Sequence, residues 1–389
     1  MKRILSFIFL AIIATACTGT KEVGVPRLIV VGSGGETSQL TLIQDVFFSD
    51  STATNRFQFL KTLDLPAPPI ASDVVDRELE RSTLVIVSQN DTDTYLSFVN
   101  LAGINPEAPS EFKLSSSNLA LSSLLAEGEV RPFAPVKLQV SKNGRYVALS
   151  NELATTSAID IIDLRASGGP ALLERFSDRI LTSNFYLEQQ ESSSQLFFFI
   201  EQASGAVLSY FNLPSLSLNR TGFTLPNSRS DAPLDLQSIN NQLLALQNDS
   251  FTPINSPTGT PTAGTPVSTL SDALFFIPTN ADTLATILVL SSDELGAHRN
   301  LNSAVESTAF TATNGSIEPL GGFAYFVTDG ASPIKLFDVQ TYQNNPDTEV
   351  SRLVQSYTVA NPADETTPIS LTDTVFITWA ISEPPLALP

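Results

Sequence analysis

Catalysis and metal binding draw on a short list of side chains, and this sequence is poor in two of them. Its 389 residues hold one His, His298, and one Cys, Cys17. A Cys/His metal site or a three-His zinc centre therefore cannot be assembled from one copy of the chain. A Ser-His-Asp triad would need His298, in DELGAHRN, and no G-x-S-x-G elbow accompanies any Ser. His298 reads as an ordinary residue of a polar surface loop, with a general base as the alternative. Gly32-Ser33-Gly34-Gly35 follows an apolar run as a phosphate cradle would, but without the further glycines and the helix it reads as a loop between strands. Asp91 and Asp93, in QNDTDTY, could offer oxygen to calcium; lacking EF-hand spacing and a closing Glu, they read as a polar inter-strand loop. No catalytic, metal-binding or cofactor set is assigned, and the ligand-binding residues stay unassigned.

Cys17 has a different chemistry. It follows MKRILSFIFLAIIATA, in which Lys2 and Arg3 precede an apolar run and small residues. That is the plan of a secretory signal, and the run is too short to span a bilayer as a helix. Ala14-Thr15-Ala16-Cys17 resembles the lipobox of bacterial lipoproteins. The resemblance implies acylation of Cys17 after removal of residues 1–16, which accounts for a thiol with no disulfide partner. It also implies a lipidated tether over 17–26. Thr18 stands where an Asp would signal inner-membrane retention, so an outer-membrane or cell-surface location is expected, with the acyl chains as the membrane contact.

Charge narrows the partners further. With 21 basic against 40 acidic residues the net charge is −19, a field that repels phosphate backbones, so nucleic acid is not an expected partner. Charged residues are only 16% of the chain while hydroxyl and amide side chains abound, as on an extracytoplasmic surface.

The positioning elements are strands. In KLQVSKNGRYVALSNELATTSAIDIIDLR, from Lys137, an Asn143-Gly144 turn joins two alternating runs and a third run follows. Similar couplets of an apolar strand, a polar loop and a second strand start near Leu28, Leu84, Leu196, Leu243, Leu274 and Ala324, with a lone first strand near Val375. Their mean spacing of about 50 residues is that of propeller blades. An all-β propeller of four-stranded antiparallel blades is predicted over 27–381, most simply seven-bladed and closed by strands from both ends of the chain, with 382–389 as a tail. The interval from Leu243 to Leu274 is too short for a blade, which leaves six or eight open; a β-sandwich pair is the alternative fold. VSKNGRYVALSN followed by IDIIDL is similar to the repeat of YVTN-type, lactonase-like propellers, and DGASPIKLFDV from Asp329 repeats it in part. Members of that group hold a calcium ion in the central channel with Glu, Asn, Asp and His; no residue here is matched to that set.

The remaining segments are assigned by composition. Residues 254–269, INSPTGTPTAGTPVST, read as an exposed loop without a regular hydrogen-bond ladder. SSNLALSSLLAEGEV reads as a short surface helix or an outer strand. Phe197, Phe198 and Phe199 should point to both faces of one strand; Phe275, Phe276, Tyr325 and Phe326 read as inter-blade core, and Trp379 as packing between first and last blades. The functional expectation is a monomeric, lipid-anchored binding or scaffolding module, its partner another envelope protein. The alternatives are a hydrolase using carboxylates and a divalent cation in the channel, and a surface adhesin using the Thr/Pro loop and blade loops for carbohydrate.

Overall fold

The computed structural model describes residues 27–35, 38–46, 55–77, 80–102, 115–129, 131–154, 157–178, 180–189, 194–202, 205–213, 215–225, 235–239, 242–278, 286–318, 322–364 and 367–381. The expected leader 1–16, the expected tether 17–26 with Cys17, and the expected tail 382–389 lie outside them.

Short alternating runs separated by turn residues pair locally, and here they pair four at a time. Among the described residues the strands form seven sheets around one axis, a seven-bladed β-propeller. Blade two is Pro69–Arg77, Glu80–Gln89, Thr94–Asn100 and Ser115–Ala120, from the axis outward. Blade three is Pro135–Val140, Tyr146–Glu152, Ser157–Asp163 and Ala171–Asp178. Blade four follows as Ile180–Gln189, Ser194–Gln202, Gly205–Leu213 and Ser217–Thr224. Blade five begins with Asp235–Ile239, Gln242–Leu246 and Ser250–Asn255, and blades six and seven begin at the axis with Phe275–Pro278 and Asn314–Ile317 and end with Glu306–Ala309 and Val354–Tyr357.

Blade one closes the ring. Its innermost strand, Thr374–Ile381, comes from the far end of the sequence and pairs antiparallel with Arg27–Ser33, which continues to Gln39–Asp45 and Phe57–Asp64. The first and last described strands thus share one ladder, as the sequence predicts. A short strand, Val359–Ala360, adds in parallel to the outer edge of Phe57–Asp64.

Apolar side chains gather between blades rather than in one central core. Each of the seven seams holds its own buried cluster. Strands covered on both faces read as continuous apolar runs because both alternating sets meet a neighbour. Phe197 and Phe199 enter the seam between blades four and five, while Phe198, pointing the other way, enters that between blades three and four. Trp379 packs with Ile29, Val31 and Tyr325 at the seam of blades one and seven, as expected for the closing strand.

Two expectations need correction. Phe275 and Phe276 are not in the position equivalent to Tyr325 and Phe326 that the first strand of their couplet implied; Phe275–Pro278 is the innermost strand of blade six, whereas Phe323–Val327 is the second strand of blade seven. That phase error, not a missing blade, made the interval after Leu243 look short. Phe275 in consequence lines the axis, while still packing against the seam of blades six and seven. Residues 254–269 are not free of ladder bonds: Thr262–Ala263 and Val267–Ser268 pair in turn with Ser250–Asn255 as a broken outer strand of blade five. The break falls at Gly264-Thr265-Pro266, where Pro lacks the donor that a continuous strand needs. SSNLALSSLLAEGEV supplies both readings in sequence, the outer strand Ser115–Ala120 and then a 3-10 turn, Leu121–Leu124.

Candidate functional site

The axial channel is a mixed cavity of about 700 Å³ to which all seven innermost strands contribute. Its polar side chains come from one or two positions on each of several blades, among them Ser72 and Asp73 from blade two, Lys137 and Gln139 from three, Asp235 from five, Glu318 after seven and Thr378 from one. An innermost strand has one unpaired edge, so a polar side chain beside it can reach the next blade.

Most of these groups do so. The Ser72 and Thr378 hydroxyls lie 2.7 Å apart, joining blades two and one. The Asp73 carboxylate accepts from the Val140 amide at 2.7 Å and so ties blade two to three. Gln139 Oε1 accepts from the Leu187 amide at 2.7 Å, tying three to four. Lys137 Nζ reaches past blade four to Asp235 Oδ1 at 2.7 Å, lying 5.3 Å from the Phe185 ring centre on the way. Ser316 Oγ accepts from the Trp379 amide at 3.1 Å, linking seven to one. Glu318 is ion-paired with Arg27; burial still pushes its carboxyl above the ordinary carboxylate range. The arrangement can stitch blades and bind a molecule of mixed polarity. Among the described residues no group of three or more His, Cys, Asp or Glu is placed to hold a metal ion.

The residues singled out in the sequence lie elsewhere. Ser141, Asn143 and Gly144 build the turn between the first two strands of blade three. The Ser141 hydroxyl donates to Asn143 Oδ1 at 2.8 Å, and both oxygens accept from the Arg145 amide. Gly144 takes φ +65°, a left-handed value that a side chain would strain. Arg145 then grips Asp163 through two nitrogens at 2.8 to 3.2 Å. The repeat motif is thus spent on a turn and its clasp. Gly32 and Ser33 end a strand of a hairpin, and a Cβ on Gly32 would fall 2.4 Å from the Phe376 ring, so close packing is what its glycine serves. Asp93 accepts from the Ser122 hydroxyl and amide, while Asp91 is exposed in the same turn.

His298 is not a surface residue of a polar loop. It ends the strand Glu294–His298 of blade six and is fully buried. Nδ1 lies 2.9 Å from the Ser303 carbonyl, to which it must donate, leaving Nε2 to accept from the Thr269 hydroxyl at 3.0 Å. Burial lowers its pKa, partly offset by the Ser303 bond. The ring also meets Phe251 edge-on at 5.1 Å, so it clamps blade five to six.

Sequence reasoning missed a buried charged group at the closing seam. Arg56 makes three hydrogen bonds of 2.9 to 3.1 Å to Asp45, which also accepts from the Tyr325 hydroxyl at 3.0 Å. The guanidinium lies 4.5 Å from the Phe323 ring centre. Asp45 and Arg56 flank one connection of blade one, but Tyr325 is far away in sequence, and only ring closure brings it to Asp45.

No family model and no curated protein matches the chain. Solved structures do. A proposed 6-phosphogluconolactonase from Bacteroides uniformis ATCC 8492 superposes with TM-score 0.62 at 13% identity, covering 91% of this chain and 99% of its own. A functionally unknown protein from Desulfotomaculum acetoxidans DSM 771 gives 0.55 at 11% identity, covering 92% and 99%. A protein from Lactobacillus plantarum gives 0.53 at 10%, covering 91% and 99%. At these identities the likeness shows the fold alone.

Proposed function

We propose that this propeller is a lipid-anchored, extracytoplasmic module of the cell envelope that binds or scaffolds another protein. The observation that carries the binding reading is the use of the channel's polar side chains. Asp73, Asp235 and Glu318 stand on three different blades, and each is committed to a neighbouring amide or cation. Hydrolysis would ask such carboxylates to converge on a reacting atom or a divalent cation. The anchor rests on the leader and on Cys17 as the chain's single thiol.

Two measurements test the reading. Fatty-acid labelling of cells producing the chain should mark the wild type and not a Cys17→Ser variant; label retained by the variant removes the anchor. Purified protein should show no turnover of sugar lactones, with or without added calcium. Turnover that disappears in Asp235→Asn and Glu318→Gln variants with unchanged unfolding midpoints would establish the hydrolase instead.

A further inference from the structure

The two ends of the propeller differ in a way that a closed ring of blades does not require. Strands alternate in direction within each blade, so one end carries the turns from second to third strand and the passages from each outer strand to the next innermost one. This leading end is where the innermost strands begin. The other, trailing end carries the remaining turns, including Ser141–Arg145.

Apolar exposure concentrates at the leading end. Among the described residues the large hydrophobic side chains that stand exposed are Val136 at 40% and Leu274 at 53%, and both line the axial channel. Val136 is the second residue of the innermost strand of blade three, and Leu274 immediately precedes that of blade six. Their backbone settings are specific. Val136 has no partner in the ladder, because the register slips between Pro135 and Lys137. Ile70, on the innermost strand of blade two, lies in the same kind of slip, between Pro69 and Ala71, and also lines the channel. A bulge re-aims the side chain of its extra residue. Two neighbouring blades therefore use it at the same level of the axis, and blade six adds Leu274.

The exposed charges in the connections around this mouth are acidic. Asp91, Asp249, Asp272, Asp293, Asp329 and Asp373 are exposed in connections of the leading end. The basic residue within those connections, among the described residues, is Arg131, half-buried and paired with Glu129; from neighbouring strands the half-buried Lys335 and Arg175 reach them at the Thr311 and Pro132 carbonyls, Arg175 also pairing with Asp160. At the trailing end Lys142, Arg145, Arg165 and Arg352 interrupt the acidic surface.

We infer that the leading mouth of the channel docks a cationic segment of a partner protein that carries an aliphatic or aromatic anchor. The anchor seats among Ile70, Val136 and Leu274, and its basic flanks meet the surrounding carboxylates. An apolar centre within a like-charged rim gives affinity from burial and selectivity from charge. This inference rests on the binding reading above and names its site and its partner's chemistry; it does not depend on the anchor.

The test is selection from a random-peptide display library on the full-length Cys17→Ser chain, with enriched peptides then measured by fluorescence anisotropy. Enriched sequences should be net cationic around an apolar residue. Their affinity should fall at least about tenfold in Leu274→Glu and Val136→Ser, weaken with added salt, and stay unchanged in Arg352→Glu, an exposed trailing-end change outside the channel. Because Leu274 is exposed, its variant should keep the wild-type unfolding midpoint, and circular dichroism checks this. Absence of enrichment, enrichment of acidic or neutral peptides, or equal binding by Leu274→Glu overturns the inference. Acylation of the unaltered chain is read separately by the labelling experiment, so the failure of one is not mistaken for failure of the other.

Discussion

At the scale of single residues, burial decides what a chemically capable side chain does. His298 is the chain's one imidazole, yet both ring nitrogens are engaged by Ser303 and Thr269 and it is fully buried. Burial holds its folded pKa below the ordinary 6.5, so near neutral pH the folded protein keeps it uncharged. The unfolded chain then binds the proton more readily than the folded one, and stability rises with pH through this group. Its contribution is fully present above about pH 6.5 and is lost as pH falls below that value towards the lowered one. Urea unfolding of wild type and His298→Gln at a series of pH values should show a gap that narrows on acidification. A gap that stays constant with pH would assign His298 a packing role alone.

At the scale of elements, pairing can override composition. The Thr/Pro stretch of blade five has no apolar alternation, but Ser250–Asn255 presents an edge, and the stretch supplies two short pieces that pair with it. Just past each piece an amide is also bonded: Gly264 N donates to the Pro253 carbonyl and Thr269 N to that of Asp249, both at 2.7 Å. These two amides should exchange with deuterium more slowly than those of Thr258 and Thr260 in the preceding turn, as mass spectrometry of overlapping fragments or NMR can measure. Equal, fast exchange at all four would restore the open-loop reading. The error in phase at blade six has a related cause. An innermost strand and a second strand are both short apolar runs, and only their neighbours in the sheet distinguish them.

At the scale of the whole molecule, the ring is held by seven seams, and the closing one carries a buried charge network. Removing the Asp45 charge leaves Arg56 buried opposite a neutral amide, so Asp45→Asn should cost about 3–5 kcal/mol of unfolding free energy. The readout is built in, because Trp379, the chain's single Trp, packs in that same seam. Urea titration followed by Trp379 fluorescence and by far-ultraviolet circular dichroism should shift together to lower denaturant. Fluorescence moving alone would mean that blade one opens before the other blades unfold.

Much of this architecture was legible beforehand. Asn143-Gly144 between alternating runs specifies a hairpin because few other residue pairs accept its backbone angles, and recurrence of such couplets indicates blades. The continuous run at Phe197, Phe198 and Phe199 implied a strand covered on both faces, and the single Cys and single His removed whole classes of metal chemistry. These are local properties, set by backbone sterics and by which side chains exist at all. Tertiary structure alone decided that His298 is buried, that Asp45 and Tyr325 meet, and that Ile70, Val136 and Leu274 share one channel mouth. Each of those depends on how blades distant in sequence are packed around an axis, and burial, charge pairing and exposure acquire values only after the ring has closed.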